Sequence, residues 1–209
     1  MHIEDLFAQR APVTYEKGER VLRAHEDTQD VYYVRKGVVR LYLLSLEGNE
    51  FTAMLYAKGD IFPLRWLYKD LENIYSFQAL TPVELLRLPR KDFMERVLAD
   101  QEAVKHVLSL TMRDQLAVIH RLRAANFGNA AQRVANSLLT IGQQFAEFRQ
   151  ESAVAEVPLT HQQIADLSGL TRETTSVELK NMERKNVISY RGRTILLTDM
   201  PSLKKVAEL

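Results

Sequence analysis

The stretch LTHQQIADLSGLTRETTSVELKNMERKNVI, residues 159–188, constrains the fold more than any other part of the chain. Thr160 and Gln163 have the spacing of a capping box, in which each side chain bonds the backbone N–H of the other residue, so a helix is expected to begin there. Gly169 stands where a tight turn between helices needs a residue that tolerates positive φ. Thr171 then fits the N-cap of a second helix. The stretch therefore predicts two short helices that meet at a tight corner.

The second helix begins with polar side chains, which is the chemistry needed to enter a DNA groove. The first residues of a recognition helix are the ones that meet base edges. Arg can pair with guanine, Glu can accept from the amino group of cytosine, and Thr or Ser can contact bases or phosphates. The chain closes with VISYRGRTILLTD, which predicts a hairpin wing. We expect a winged helix-turn-helix domain whose DNA-contacting residues are Thr160, His161, Gln162, Thr171, Arg172, Glu173, Thr174, Thr175, Ser176, Lys180, Arg191 and Arg193.

The buried face of the second helix is less clear from the sequence. Met182 is expected to be buried, but either Val177 or Leu179 can precede it on the apolar side. Charge gives little help, because Lys plus Arg number 28 against 27 for Asp plus Glu. Within residues 158–196 there are only six basic and four acidic side chains. Net charge therefore provides no argument of its own for nucleic-acid binding.

Residues 13–90 carry short runs of Val, Tyr, Leu and Phe that alternate with turn residues. Such closely and regularly spaced strands predict an antiparallel barrel or sandwich. The runs are DVYYVRKG, VVRLYLLS, NEFTAMLYAKGD, IYSFQALT and VELLRLP. RKDFMERVLAD then predicts a short helix, and a polar loop is expected over RQESAVAEVP.

Residues 100–126 run without Gly or Pro and predict one long helix with two apolar stripes. One stripe, which includes Val104, Val107 and Leu110, can cover the barrel, so the other needs a partner. A second copy of the same helix is the simplest partner. The expected dimer-interface residues are Leu108, Thr111, Gln115, Val118 and Leu122. Because Phe127-Gly128-Asn129 breaks the pattern, we expect a β-roll sensor domain over 1–98, a dimerisation helix over 99–127 and a DNA-binding domain over 128–209.

This layout resembles the Crp/Fnr superfamily, the cyclic-AMP receptor and fumarate–nitrate-reductase regulators. Residues 159–188 carry the most specific part of the resemblance, and VYYVRKGVVRLYLL, AKGDIF and ALTPVELLRLPRKDF match the barrel. The resemblance implies an α+β chain with an N-terminal antiparallel β-roll of the cyclic-nucleotide-binding type. It further implies a homodimer that binds a near-palindromic DNA operator, with RNA polymerase as a further partner. Many members have an Arg where this chain has Val177, so the operator is expected to differ from the usual half-sites.

The resemblance also implies where a cyclic nucleotide would bind. Members that bind one carry a Gly-Glu pair for the ribose and an Arg for the phosphate. The matching positions here are Gly59-Asp60 and the segment beginning at Asn73. Because Asn73 cannot supply the charge-assisted, bidentate contact of Arg, we expect that the chain does not bind cyclic AMP in the usual way.

The segment FPLRWLYKDLENIY offers a second ligand chemistry. Aromatic rings beside cations can hold an anionic or planar ligand, or they can form a lid over the barrel. The candidate effector residues are Gly59, Asp60, Arg65, Trp66, Tyr68, Asn73 and Tyr75. A regulator that responds to a cyclic nucleotide and a constitutive, ligand-independent regulator both remain as alternatives. In a ligand-gated regulator, the effector is expected to act through a pivot near Phe127-Gly128.

Several classes of protein are disfavoured. The chain has no cysteine, which excludes disulfides and Cys-ligated zinc or iron–sulfur clusters. His106 and His120 lie on the long helix at no metal-ligand spacing, and His25 lies in a predicted loop, so no metal, haem or other cofactor is expected. Nucleophile elbows, Walker loops and zinc-protease motifs are missing from the sequence, so no enzyme is expected. The first ten residues have no signal-peptide pattern, and no apolar run is long enough for a membrane span, which favours a cytoplasmic protein.

Overall fold

The structure is a computed structural model of the 209-residue chain, and it describes residues 3–26, 29–48, 50–64, 74–146, 155–157 and 159–208. The chain forms two compact units. The first comprises Met1–Ser45 and Ala53–Gln115, and the second comprises Leu46–Thr52 and Leu116–Leu209. The boundary between the two units falls inside the long helix. The sequence predicted boundaries at the two ends of this helix.

The first unit is built on two four-stranded antiparallel sheets. Their strands are β1 Val13–Tyr15, β2 Arg20–Leu22, β3 Asp30–Lys36, β4 Val39–Leu44, β5 Glu50–Tyr56, β6 Ile61–Phe62, β7 Ser76–Ala79 and β8 Val83–Pro89. One sheet has the order β1-β8-β3-β6 and the other β2-β7-β4-β5. A 3₁₀ helix over Ile3–Phe7 and helix α1 over Arg90–Leu98 accompany them. The predicted β-roll and the short helix after it are confirmed.

Alternation of side chains along β3 gives this unit two cores. Tyr32 and Val34 point between the sheets, while Val31 and Tyr33 point outward, as the two-residue period of a strand requires. The outward pair is covered by the 3₁₀ helix and by Phe93 of α1. Both faces of the β3–β8 sheet are therefore buried, which explains why these strands read as almost continuous apolar runs.

Helix α2, Gln101–Phe127, covers the same outer core with one of its faces. Ala103 is fully buried, and Val107 and Leu110 pack against the cluster. Arg113 lies on this side too, and its Nη2 donates to Asp60 Oδ1 at 2.8 Å. The prediction that one stripe of the long helix covers the barrel is confirmed for Val107 and Leu110. Val104 instead remains 38% exposed, because it faces away from the cluster.

The second unit is a helical domain with a small sheet. Its elements are α3 Ala130–Ala146, β9 Ala155–Val157, α4 His161–Ser168, α5 Arg172–Arg184, β10 Ile188–Arg191, β11 Thr194–Leu197 and α6 Met200–Ala207. The strand order is β10-β11-β9. Val134, Leu138 and Ile141 form the buried stripe of α3. The helix-turn-helix and its hairpin wing are confirmed.

One segment of the second unit differs from its predicted structure. Residues 149–158 were predicted to be a polar loop, but Ala155–Val157 forms a strand that pairs with β11, from Val157 opposite Ile195 to Ala155 opposite Leu197. The pairing partner lies about 40 residues away in sequence, so a three-residue strand gives no local signal. Among the described helices none is long and apolar enough to cross a membrane.

Candidate nucleic-acid interface

The corner between α4 and α5 has the local chemistry that its sequence predicted. Thr160 caps α4 by accepting from the backbone N–H of Gln163, and the Gln163 side chain accepts from the Thr160 N–H at 2.8 Å. Gly169 ends the helix in the left-handed conformation with φ 62°. Thr171 caps α5 by accepting from the N–H of Thr174 at 3.2 Å. These caps fix where both helices begin and end.

Two arginines from other helices bind the carbonyl end of α4. Arg121 of α2 donates to Leu167 O at 2.9 Å, and Arg133 of α3 donates to Ser168 O at 3.0 Å and Gly169 O at 2.6 Å. These carbonyls have no partner within the helix and carry the negative end of its dipole, so cations stabilise them. Neither contact could be predicted from the sequence, because an Arg on a polar helix face gives no sign of which groups it will bind.

Arg121 has a second set of contacts within the same unit. It donates to Thr52 O at 2.8 Å, and its guanidinium carbon lies 5.2 Å from the ring centre of Phe51. Burial lowers the pKa of Arg121 to about 10. The side chain therefore holds residues 51–52 and the end of α4 to helix α2.

The rotation of α5 about its axis decides which side chains can reach DNA. Thr175, Leu179 and Met182 are buried, at intervals of four and three residues. The sequence left open whether Val177 or Leu179 is buried. Leu179 is buried, and Val177 is 55% exposed. The exposed side chains are Arg172 in the first turn and Glu173, Val177 and Lys180 on the side of the helix opposite the core, with Ser176 partly exposed. This face is polar apart from Val177 and lies at the capped start of the helix.

Thr175 was predicted to contact DNA, and the structure contradicts that prediction. The residue has no solvent exposure, and its hydroxyl has no hydrogen-bond partner among the described residues. It lies on the buried face because α5 places it four residues before Leu179, on the same side of the helix. The sequence suggested otherwise because a threonine in a polar run gives no apolar signal.

Replacing Thr175 by Val should leave operator affinity unchanged and raise stability. Removal of an unsatisfied buried hydroxyl is expected to be neutral or to add up to roughly 1–2 kcal/mol. Thermal denaturation and a DNA-binding isotherm measure both quantities. The matched control is Thr171→Val, which removes the α5 cap and should cost about 1 kcal/mol. Weaker DNA binding by Thr175→Val with unchanged stability would mean that this hydroxyl reaches the DNA.

His161, also predicted to contact DNA, joins three elements of the domain. Its Nδ1 lies 2.9 Å from the hydroxyl of Ser176 on α5, and its Nε2 lies 3.0 Å from the hydroxyl of Tyr190 on β10. A neutral imidazole donates from one nitrogen and accepts at the other, so each hydroxyl completes one bond. Burial, with the nearby charges of Arg172 and Lys180, lowers the pKa of His161. The ring thus positions Ser176 relative to the wing, a role that the sequence did not indicate.

The lowered pKa of His161 predicts a pH dependence of stability. The unfolded chain, with its histidine near 6.5, binds more protons than the folded chain as the pH falls through this value. The free energy of unfolding should therefore decrease as the pH falls through about 6.5, and His161→Gln should flatten the slope. Denaturant unfolding at several pH values measures it. An identical slope in the variant would show that His161 does not contribute.

The other predicted DNA contacts lie on this surface or at its edge. Thr160 and Thr171 are exposed caps, and Thr174 is half-buried beside Thr171. Gln162 is exposed and donates to Asp166 Oδ1 at 2.7 Å. Arg191 and Arg193 are exposed on either side of Gly192, whose φ of 60° forms the turn of the wing. The surface combines helix caps, the start of α5 and two arginines on the hairpin.

The candidate effector residues do not form one described site. Arg65, Trp66, Tyr68 and Asn73 lie outside the described residues. Tyr75 packs against the core between the sheets. Asp60 was expected in the ligand pocket, but it is only 2% exposed, and its second oxygen accepts the N–H of Ala57 at 2.7 Å. Since Arg113 binds the first oxygen, both oxygens of the Asp60 carboxylate have partners within the first unit, where the side chain closes a turn and contacts α2.

The candidate dimer residues share one exposed face of α2. Leu108, Val118 and Leu122 are 51%, 47% and 61% exposed, and Thr111 and Gln115 between them are also exposed. Further large apolar side chains on the helix are exposed as well: Val104, Met112, Leu116 and Ile119. The single chain leaves this apolar surface open to water.

A capped helical corner, a polar recognition helix and an arginine-bearing wing define a DNA-binding regulator of the winged helix-turn-helix class. Two family models match the chain, the cyclic nucleotide-binding domain over residues 12–100 and the Crp-like helix-turn-helix domain over residues 132–206. The chain belongs to the Crp/Fnr superfamily of transcription regulators. It is a transcription regulator and not an enzyme.

The proteins to which this chain is similar agree with this assignment. The CRP-like cAMP-activated global transcriptional regulator of Mycobacterium tuberculosis is 26% identical over 208 residues, which cover 98% of this chain and 92% of that protein. The structure of FixK2 from Bradyrhizobium japonicum has a TM-score of 0.82 at 21% identity and covers 96% of this chain and 98% of that one. A CRP/FNR-family regulator from Thermus thermophilus has a TM-score of 0.74 at 25% identity, over 95% and 99% of the two chains.

Proposed function

We propose that the protein is a homodimeric, sequence-specific DNA-binding regulator that contacts bases through the exposed face of α5. The observation that supports the proposal is the rotation of this helix about its own axis, which decides which side chains are exposed. Arg172 and Glu173 are exposed in its capped first turn, while Leu179 and Met182 are buried and hold the helix to the core of the domain. The arrangement fits insertion of the helix start into a major groove. We expect Thr160, Gln162 and the wing arginines Arg191 and Arg193, which are exposed, to contact the phosphate backbone.

The exposed face of α2 supports a homodimer. Its residues follow the alternating three- and four-residue spacing of a coiled-coil seam, and a second copy of the same helix presents the matching surface. A two-fold dimer would present two recognition helices to a near-palindromic operator, with half-sites about one helical turn apart. The proposed dimer residues are Leu108, Thr111, Gln115, Val118 and Leu122, with the neighbouring Val104, Met112, Leu116 and Ile119.

We propose further that the β-roll does not bind cyclic AMP in the usual way. Phe62 is fully buried between the sheets and stacks on Tyr32 and Phe77, with ring centres 5.5 Å and 4.9 Å away. The same cluster includes Tyr56, 5.2 Å from Phe62. These rings pack against one another between the sheets, and Asp60 is bound to Arg113. In the sequence, Asn73 stands where the family resemblance implies the phosphate-binding Arg, and an amide cannot supply the charge-assisted contact of a guanidinium.

A cyclic-nucleotide-responsive regulator is the second candidate. It is favoured by the match of residues 12–100 to the cyclic nucleotide-binding domain and by relatives named as cAMP-activated. Calorimetric titration with cyclic AMP and cyclic GMP separates the candidates, since tight binding of either would overturn the previous proposal. Operator binding by the ligand-free protein at physiological salt would favour the constitutive alternative.

Selection of bound DNA from a random pool tests the proposed function. The protein should enrich one motif made of two related, inverted half-sites, and addition of cell metabolites should report ligand dependence in the same experiment. A pool that remains random after repeated rounds, with and without metabolites, would contradict sequence-specific binding.

A further inference from the structure

One apolar side chain stands on the otherwise polar face of α5. Val177 is 55% exposed, and among the described residues from 159 to 208 it is the only large hydrophobic side chain that is substantially exposed to solvent. Packing does not require it, because Thr175, Leu179 and Met182 fill the buried side of the helix. A single exposed valine is ordinary on a protein surface, so its neighbours must decide its meaning.

The neighbours of Val177 are the residues proposed to read bases. Glu173 precedes it by four residues and Lys180 follows it by three, which places both beside it on the helix surface. Ser176, the adjacent residue, is held by His161. A small apolar spot therefore lies within a set of hydrogen-bonding side chains, on the side of the helix away from the core.

In the major groove, the apolar group on a base edge that such a spot can meet is the 5-methyl group of thymine. Valine suits this contact, because its branched Cβ leaves one strongly preferred rotamer in a helix and so holds its methyl groups in place. We propose that Val177 determines operator specificity by contacting a thymine methyl, once in each half-site. This inference rests on the proposed function, and it adds an apolar base contact to it.

Replacement of thymine by deoxyuridine tests the contact, because it removes the methyl and keeps every hydrogen-bonding group. In the operator selected by the wild type, each symmetric pair of dT positions is changed to dU in turn. Loss of one buried methyl should weaken binding roughly fourfold, and loss of a symmetric pair about fifteenfold. We expect one pair with this response in the wild type.

The matched protein is Val177→Ala, which should fold like the wild type because the side chain is exposed. At the sensitive pair, this variant should lose less than about twofold on dU substitution, while its responses at all other dT positions stay unchanged. Thermal denaturation confirms that the variant is folded. Equal dU responses of the two proteins at every position would overturn the inference.

The selection also separates this inference from the proposed function. An operator that is enriched but contains no dT coupled to Val177 overturns the inference and leaves the proposed function intact. Failure to enrich any operator contradicts the proposed function itself, before dU is introduced.

Discussion

Replacing Leu108 by Glu is expected to split the dimer and to lower operator affinity by about 10²–10⁴-fold, because the second half-site then no longer binds at high effective concentration. Leu108 is 51% exposed and lies in the N-terminal half of the apolar face of α2. In the proposed dimer its substitution would bury an unpaired carboxylate, which is strongly unfavourable. The monomer itself should fold normally, because the side chain makes no essential core contact.

Leu98→Glu is the matched control. Leu98 is the last residue of α1, is 69% exposed and lies outside the proposed interface. The same change of side chain there should leave the mass of the dimer and its affinity for the operator unaltered. Sedimentation equilibrium gives the mass and a binding isotherm gives the affinity. A Leu108→Glu protein that remains dimeric would contradict the proposed interface, and a monomeric one with wild-type affinity would contradict the need for two half-sites.

Replacing Arg172 or Glu173 by Ala should weaken binding to the selected operator by about 1–3 kcal/mol and relax base preference at one position of each half-site. Both side chains are exposed in the first turn of α5, where they can donate to or accept from base edges. A contact with a phosphate alone would instead weaken binding to all sequences equally and reduce its salt dependence. Repeating the DNA selection with each variant distinguishes the two outcomes.

Arg184→Ala provides the matched control for this prediction. Arg184 is exposed in the last turn of α5, far along the helix from its capped start, so its loss should leave the selected motif unchanged. If the Arg172 and Glu173 variants select the wild-type motif with wild-type affinity, α5 is not the base-reading element.

Elements with a strong local signal could be predicted from the sequence. The capping box at Thr160, the turn at Gly169 and the cap at Thr171 each depend on residues within one helical turn, and the structure confirms all three. The apolar runs of β3 and β8 and the long helix α2 were equally clear, because each pattern continues over seven or more residues. In these segments local preference and tertiary packing point to the same structure.

Features that depend on distant partners could not be predicted. Strand β9 exists because β11 pairs with it, and Arg133 acts on Ser168 and Gly169, 35 and 36 residues away. The burial of Thr175 was missed because the apolar pattern of α5 includes one polar residue. Asp60 was a candidate ligand residue because Gly59-Asp60 matches the Gly-Glu pair of the family, and its contact with Arg113, 53 residues away, gives no local signal.

Hydroxyl-radical footprinting of the selected operator, with protein bound at saturation, tests whether a dimer reads two successive major grooves with α5. We expect two equivalent regions of protected backbone related by two-fold symmetry, flanking major grooves whose centres lie about 10–10.5 base pairs apart. Both regions should be lost together in Leu108→Glu. A single protected region, or two regions that survive in the monomeric variant, would contradict a dimer that reads successive major grooves with α5.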